Sequence, residues 1–185
     1  MKIFINPGHD IDYDSGAINN NYGITEANIA KDIGEKVAYY LNNVGYETKV
    51  MQSDNLNYDS DYADRPYPVC VAANEWNSDI FISIHCNAAN TIAKGTETLV
   101  YNLGGSSEIL ANCIQDQIVD SLNTIDRGIK VRPELTVLRR TNMTAALIEL
   151  AFIDNDEDAC LLINRKDDFA KAIARGITDY VSSIK

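Results

Sequence analysis

No stretch of this chain approaches the roughly 20 consecutive apolar residues that a membrane-spanning helix needs. The N-terminus has no basic segment followed by an apolar one, so a chain made in the cytoplasm without a signal peptide is expected. Cations are scarce: 16 Lys and Arg stand against 27 Asp and Glu, a formal net charge of −11. Such a surface repels nucleic-acid phosphates and excludes DNA or RNA as a partner. The four cysteines, Cys70, Cys86, Cys113 and Cys160, lie far apart and form no CxxC pair. They have no zinc-ribbon spacing, and four reduced thiols packed as small hydrophobes are expected. No repeat, linker or low-complexity run interrupts the sequence. With 45% hydrophobic residues in 185, one domain with a proper core over residues 1–185 is expected.

Histidine is the scarcest of the chemically versatile residues, with only two copies. His85 ends the apolar run Asp79-Ile80-Phe81-Ile82-Ser83-Ile84-His85-Cys86-Asn87. That run reads as a strand buried on both faces of a parallel sheet. His9 follows Lys2-Ile3-Phe4-Ile5-Asn6 after a Pro-Gly turn. Both histidines thus stand at the carboxyl ends of strands, where open α/β sheets bind ligands.

The remaining pattern alternates strands and helices. A long loop is expected from Asn6 to Tyr22, then a helix capped by Thr25 and ended at Gly45. Further strands are expected at Glu47–Gln52, Gly95–Tyr101, Leu135–Arg139 and Ala145–Phe152. Helices are expected at Val69–Trp76, from Ser106 or Ser107 to Asn123, from an acidic start at Asp154–Asp158, and at Asp167–Ser182. Ser53–Asp64 reads as a polar loop without the Gly and Glu positions of an EF-hand. The fold class that follows is α/β: a twisted, mostly parallel (mixed) sheet of about six strands with helices on both faces.

Two carboxylates join the histidines as candidates. Glu26 opens a helix, where the macrodipole favours a carboxylate in any case. Beside two strand-end histidines it also completes a His, Glu, His set, the zinc arrangement that leaves a fourth position open for water. Glu149 lies inside Ala145-Ala146-Leu147-Ile148-Glu149-Leu150-Ala151-Phe152. A carboxylate in a buried apolar strand is costly unless it is paired, faces a metal or has a raised pKa. Arg139 or Arg140 is a candidate partner. With a metal-activated water nearby, Glu149 would instead be a general base and then a general acid.

The pieces Asn6-Pro7-Gly8-His9, Gly23-Ile24-Thr25-Glu26, Ala73-Asn74, Ser83 to Ala88, Gly95-Thr96-Glu97 and Leu147 to Asn155 carry a resemblance that spans nearly the whole chain. In their order and spacing the sequence resembles the zinc-dependent N-acetylmuramoyl-L-alanine amidases of the type-3 class, which include cell-separation amidases and phage endolysins. The resemblance implies a single amidase catalytic domain that binds Zn2+ through His9, Glu26 and His85, with Glu149 catalytic. It implies hydrolysis of the amide between N-acetylmuramic acid and L-alanine in peptidoglycan, action at the bacterial cell wall, and a separate or missing wall-binding domain. Asn87 and Tyr101 are expected to touch substrate, and Tyr13 and Tyr22 to offer sugar-stacking faces. The family usually has glycine after the first histidine, where this chain has Asp10, and an arginine at the position of Val69, near which only Arg65 stands. A zinc peptidase acting on the stem peptide, a glycosidase using Glu149, and a noncatalytic peptidoglycan-binding module are the rival readings.

Overall fold

The computed structural model describes residues 1–58 and 67–184. The second half of the loop expected over Ser53–Asp64, residues 59–64, and Arg65 lie outside the described residues. The chain folds around a six-stranded sheet in the order β4-β1-β5-β8-β6-β7. These are β1 (Lys2–Pro7), β4 (Glu47–Val50), β5 (Ile80–Asn87), β6 (Thr96–Val100), β7 (Asp126–Val131) and β8 (Thr144–Phe152). A two-residue pair, β2 (Ile18–Asn19) with β3 (Ile24–Thr25), forms a hairpin that begins in the expected loop and ends at the Thr25 cap. All neighbouring strands of the main sheet run parallel except β6 against β8.

One face of the sheet is roofed over its central strands. It is covered by α1 (Glu26–Asn43), α3 (Ser106–Leu122) and α6 (Lys166–Ser183), with α5 (Asp156–Asn164) beside β8. In α1, Ile29, Ile33, Val37 and Leu41 recur at helical spacing and are all buried, so the stripe faces the sheet. Thr25 caps this helix by accepting from the Asn28 amide at 3.4 Å, an interaction of about 1 kcal/mol. The cap fixes where α1 begins, and so where Glu26 stands. None of the helices is long and apolar enough to cross a membrane among the described residues.

The second face is covered thinly, by α2 (Val69–Glu75) and α4 (Thr136–Arg139). Side chains alternate along strands. Phe4, Phe81, Leu99, Ala145 and Leu147 therefore pack under these short helices. Further along the same parity toward the carboxyl ends, past the buried Ser83 on β5 and directly after Leu147 on β8, stand His85 and Glu149. They rise beyond the cover onto an open part of the sheet.

The expected strand at Leu135–Arg139 is instead the short helix α4, and Asp126–Val131 takes the sixth place in the sheet. Val137 and Leu138, adjacent in sequence, are both buried; a strand would have sent them to opposite faces. The amides of Leu138 and Arg139 both reach the Leu135 carbonyl, closing the turn locally. The true edge strand was masked by its charges, Asp126, Arg127 and Lys130. Such charges are how edges are kept from pairing with other chains.

Candidate active site and metal centre

His9, Glu26 and His85 come together from three elements. His9 follows β1, Glu26 opens α1 and His85 lies in β5. One donor atom from each lies within 4.8 Å of the others. Glu26 Oε1 is the centre: it stands 3.1 Å from His9 Nε2 and 2.9 Å from His85 Nδ1. It also accepts from the Cys86 amide at 3.0 Å, while Oε2 accepts from Ala17 N at 3.0 Å. Two imidazoles and a buried carboxylate converging on one point can hold a metal ion.

The electrostatics say the same. Burial would raise the Glu26 carboxyl, but hydrogen bonds from His85 and His9 outweigh it and hold it well below the usual carboxylate range. Burial would likewise lower His9. The hydrogen bond and charge of Glu26, then those of Asp14, overcome it and push the imidazole up to about 9. The cluster is thus a pocket that attracts positive charge.

Asp14 is a residue the sequence reading did not single out. Its Oδ2 stands 2.8 Å from His9 Nδ1, and its Oδ1 accepts from Gly16 N at 3.1 Å. With Nδ1 held by a carboxylate, His9 presents Nε2 to the cluster, the outer-shell device that orients a metal-binding histidine. The backbone makes this pairing possible. Asp10 and Asp14 exchange both amide hydrogen bonds, at 2.8 and 3.0 Å, folding the intervening residues back beside His9. His9 itself sits at φ 63, in the left-handed region. Two glycines leave room for the rings. A Cβ on Gly8 would overlap the His85 imidazole, and one on Gly16 (φ 64) would stand 2.7 Å from both Glu26 Oε2 and His9 Cδ2. Asp14→Asn is expected to weaken metal affinity about tenfold to a hundredfold, the usual cost of losing such an outer partner. Chelator competition measures it, and an unchanged affinity would remove Asp14 from the site.

Glu149 pairs in register with His85 across the β5–β8 ladder. Its Oε2 is buried without a hydrogen-bond partner among the described residues, so neither Arg139 nor Arg140 satisfies it. Burial pushes its carboxyl up to about 7; His85 opposes the rise, while the charges of Glu26 and Glu97 add to it. A cleft of about 160 Å³ opens beside His9 and His85, walled by Leu56, Leu135, Val137 and Leu147.

The other expected contacts fare differently. Asn87 is close by, but its Nδ2 donates to Glu97 Oε1 at 3.0 Å and its Oδ1 accepts from Ala88 N at 2.9 Å. Tyr101 is not brought to the site. Because β6 runs antiparallel to β8, with Glu97 opposite Glu149, Tyr101 lies past the other end of β6. Tyr22 is engaged with Cys160 and Asp156 at α5, and Tyr13 is exposed on the Asp10–Asp14 turn.

The family described as N-acetylmuramoyl-L-alanine amidase matches residues 3–179. The chain is 34% identical over 183 residues to the N-acetylmuramoyl-L-alanine amidase LytC of Bacillus subtilis, covering 96% of this chain and 35% of LytC. It is 34% identical to the endolysin of Bacillus phage SPP1, over 98% of this chain and 65% of that protein. The chain thus spans about a third of the first relative and just under two thirds of the second. Among solved structures, an N-acetylmuramoyl-L-alanine amidase from Clostridium difficile 630 superposes with a TM-score of 0.83 at 31% identity, over 100% of this chain and 98% of that one.

Proposed function

Because this chain belongs to the family of N-acetylmuramoyl-L-alanine amidases, we propose that residues 1–185 form one catalytic domain that hydrolyses the amide between the lactyl group of N-acetylmuramic acid and L-alanine in peptidoglycan, at the bacterial cell wall. The proposal includes zinc, held by His9 Nε2, Glu26 Oε1 and His85 Nδ1. Borderline nitrogen and oxygen donors in a three-residue set match a catalytic zinc site. When bound, zinc supplies Lewis-acid polarisation of the scissile carbonyl and lowers the pKa of water toward about 7. The residues supply the rest. Asp14 holds the His9 tautomer, and Glu26 anchors both imidazoles. Glu149 takes a proton from the attacking water and returns it to the departing amine nitrogen.

The single observation that carries the reading is the buried, unpartnered Oε2 of Glu149 beside the His, Glu, His cluster. A group merely filling the strand would be apolar, and a binding module has no use for a desolvated base. At −11 the unit gains little from bulk attraction to anionic wall polymers. The proposal therefore assigns wall anchoring to a domain other than this one.

Digestion of purified peptidoglycan tests the activity. New amino-terminal L-alanine should appear, with no new reducing sugar ends. Reducing ends would mean a glycosidase, other amino termini a peptidase, and neither product a binding module.

A further inference from the structure

Four strands carry a row of polar side chains across the open face at one level: His85 on β5, Glu149 on β8, Glu97 on β6 and Arg127 on β7. The first two belong to the site already described. Of the last two, Glu97 adds its charge beside Glu149, and Arg127 has no part in it so far. Glu97 is buried, with Oε1 accepting from Asn87 Nδ2 and Oε2 from Arg127 Nε, each at 3.0 Å. The Arg127 guanidinium carbon stands 4.8 Å from the centre of the Phe152 ring. The guanidinium is thus held along one edge and covered on one face, while its side chain remains 36% exposed. Among the described residues, its Nη1 makes only a long 3.5 Å contact, to the Lys94 carbonyl. A planar fork fixed in this way meets an anion with little left to order. A counter-ion serving Glu97 alone would need neither the aromatic platform nor the open edge. In a chain of net charge −11, a fixed cation in the row that holds Glu149 is a local exception.

We infer that Arg127 forms an anion subsite for the peptide that leaves in the reaction, and that it takes the carboxylate carried by that peptide's second residue. The inference rests on the peptidoglycan reading above. Direction supports it. Glu149 must reach the departing amine, so the peptide leaves over Glu149 and away from the metal ligands. Along the sheet, the next positions in that direction are Glu97 and then Arg127. Reach supports it as well. Arg127 itself stands three strand spacings from His85, roughly 14 Å, but its Nε lies 3.0 Å from Glu97 Oε2, which draws the guanidinium back over β6, two spacings or roughly 10 Å from His85. Two extended residues span roughly 7 Å, and the carboxylate with its hydrogen bond covers the remainder. In stem peptides whose second residue is linked through its side chain, the α-carboxyl is left free or is amidated. The fork of Arg127 would bind the free form in bidentate fashion and the amide poorly.

The experiment compares two muramoyl peptides that differ only in that α-group, carboxylate or amide. The unaltered protein should prefer the carboxylate. Arg127→Gln should lose about tenfold to a hundredfold in kcat/KM on the carboxylate substrate, mainly through KM, the range expected for one hydrogen bond to a charged group. Its rate on the amide should stay nearly unchanged. Arg127→Lys should recover part of the loss. Since Arg127→Gln strands a buried carboxylate, the double variant Arg127→Gln with Glu97→Gln restores a neutral pair, and it should keep the same selective loss. Equal losses on both substrates would overturn the subsite and leave Arg127 as the counter-ion of Glu97. Failure of the unaltered protein to cleave either substrate would overturn the amidase reading, and the subsite with it.

Discussion

Glu149→Gln is expected to lower amidase activity by about two to four orders of magnitude, the range for losing a positioned acid–base group, while the protein stays folded and loads zinc. The substitution keeps the side chain's volume and removes its ability to accept a proton. Zinc should be retained because the proposed donor set is His9, Glu26 and His85, with Glu149 outside that cluster. Stability should hold or rise, and the sign follows from the carboxyl's shift to about 7 from an ordinary value of 4.5. The folded metal-free protein keeps this proton longer than the unfolded chain does. Folding is therefore progressively penalised as pH rises from about 4.5 to about 7, and the penalty is constant above that. The glutamine variant lacks it, so its advantage in thermal melts should grow over that window. A bound cation favours the carboxylate, so the rising limb of the unaltered enzyme's pH–rate profile should lie at or below pH 7 and vanish in the variant. Loss of zinc from Glu149→Gln would make the residue a ligand. Near-full activity would move the base elsewhere.

The second large effect concerns His85. His85→Ala removes one of three donors and leaves His9 and Glu26 alone, too few for a stable catalytic zinc site. Zinc content by elemental analysis should fall from about one per chain to near none, with activity at the assay background. Chelation of the unaltered protein should have the same effect on activity and should be reversed by added zinc, which separates metal loss from misfolding. Stoichiometric zinc in His85→Ala would sink the ligand set. Together the two variants divide the site: one loses chemistry and keeps the ion, the other loses both.

Much of this centre is legible in the amino-acid sequence. An apolar run that stops at a histidine announces both a buried strand and its functional end, and His9 and His85 each close such a run. Glu149 was legible because a carboxylate among Leu147, Ile148, Leu150 and Ala151 has no bland explanation within its own strand. Asp14 was not. It is one of several acids in a loop without periodicity, and its role depends on the Asp10–Asp14 backbone pairing. Tyr101 was misplaced for a different reason. Alternation shows that Gly95–Tyr101 is a strand, but nothing in it shows which way the strand runs. Arg127 sits on an edge strand whose charges hide it, so its position beside Glu97 emerged only with the sheet order.

That sheet order also sets a timetable. β5 lies between β1 and β8, and its pairing with β8 joins Ile80 to Thr144. Partners so distant in sequence are joined late and slowly, because loop closure must come before their contacts help. During synthesis, β5 cannot gain its second neighbour until the last quarter of the chain has emerged. The proposed catalytic centre would therefore be absent from every shorter nascent chain, even though His9, Glu26 and His85 are all made earlier. A ribosome stalled ahead of β8 would carry a chain that has His9, Glu26 and His85 but lacks Glu149. Pulse-labelled nascent chains arrested on either side of residue 152 would show the step directly.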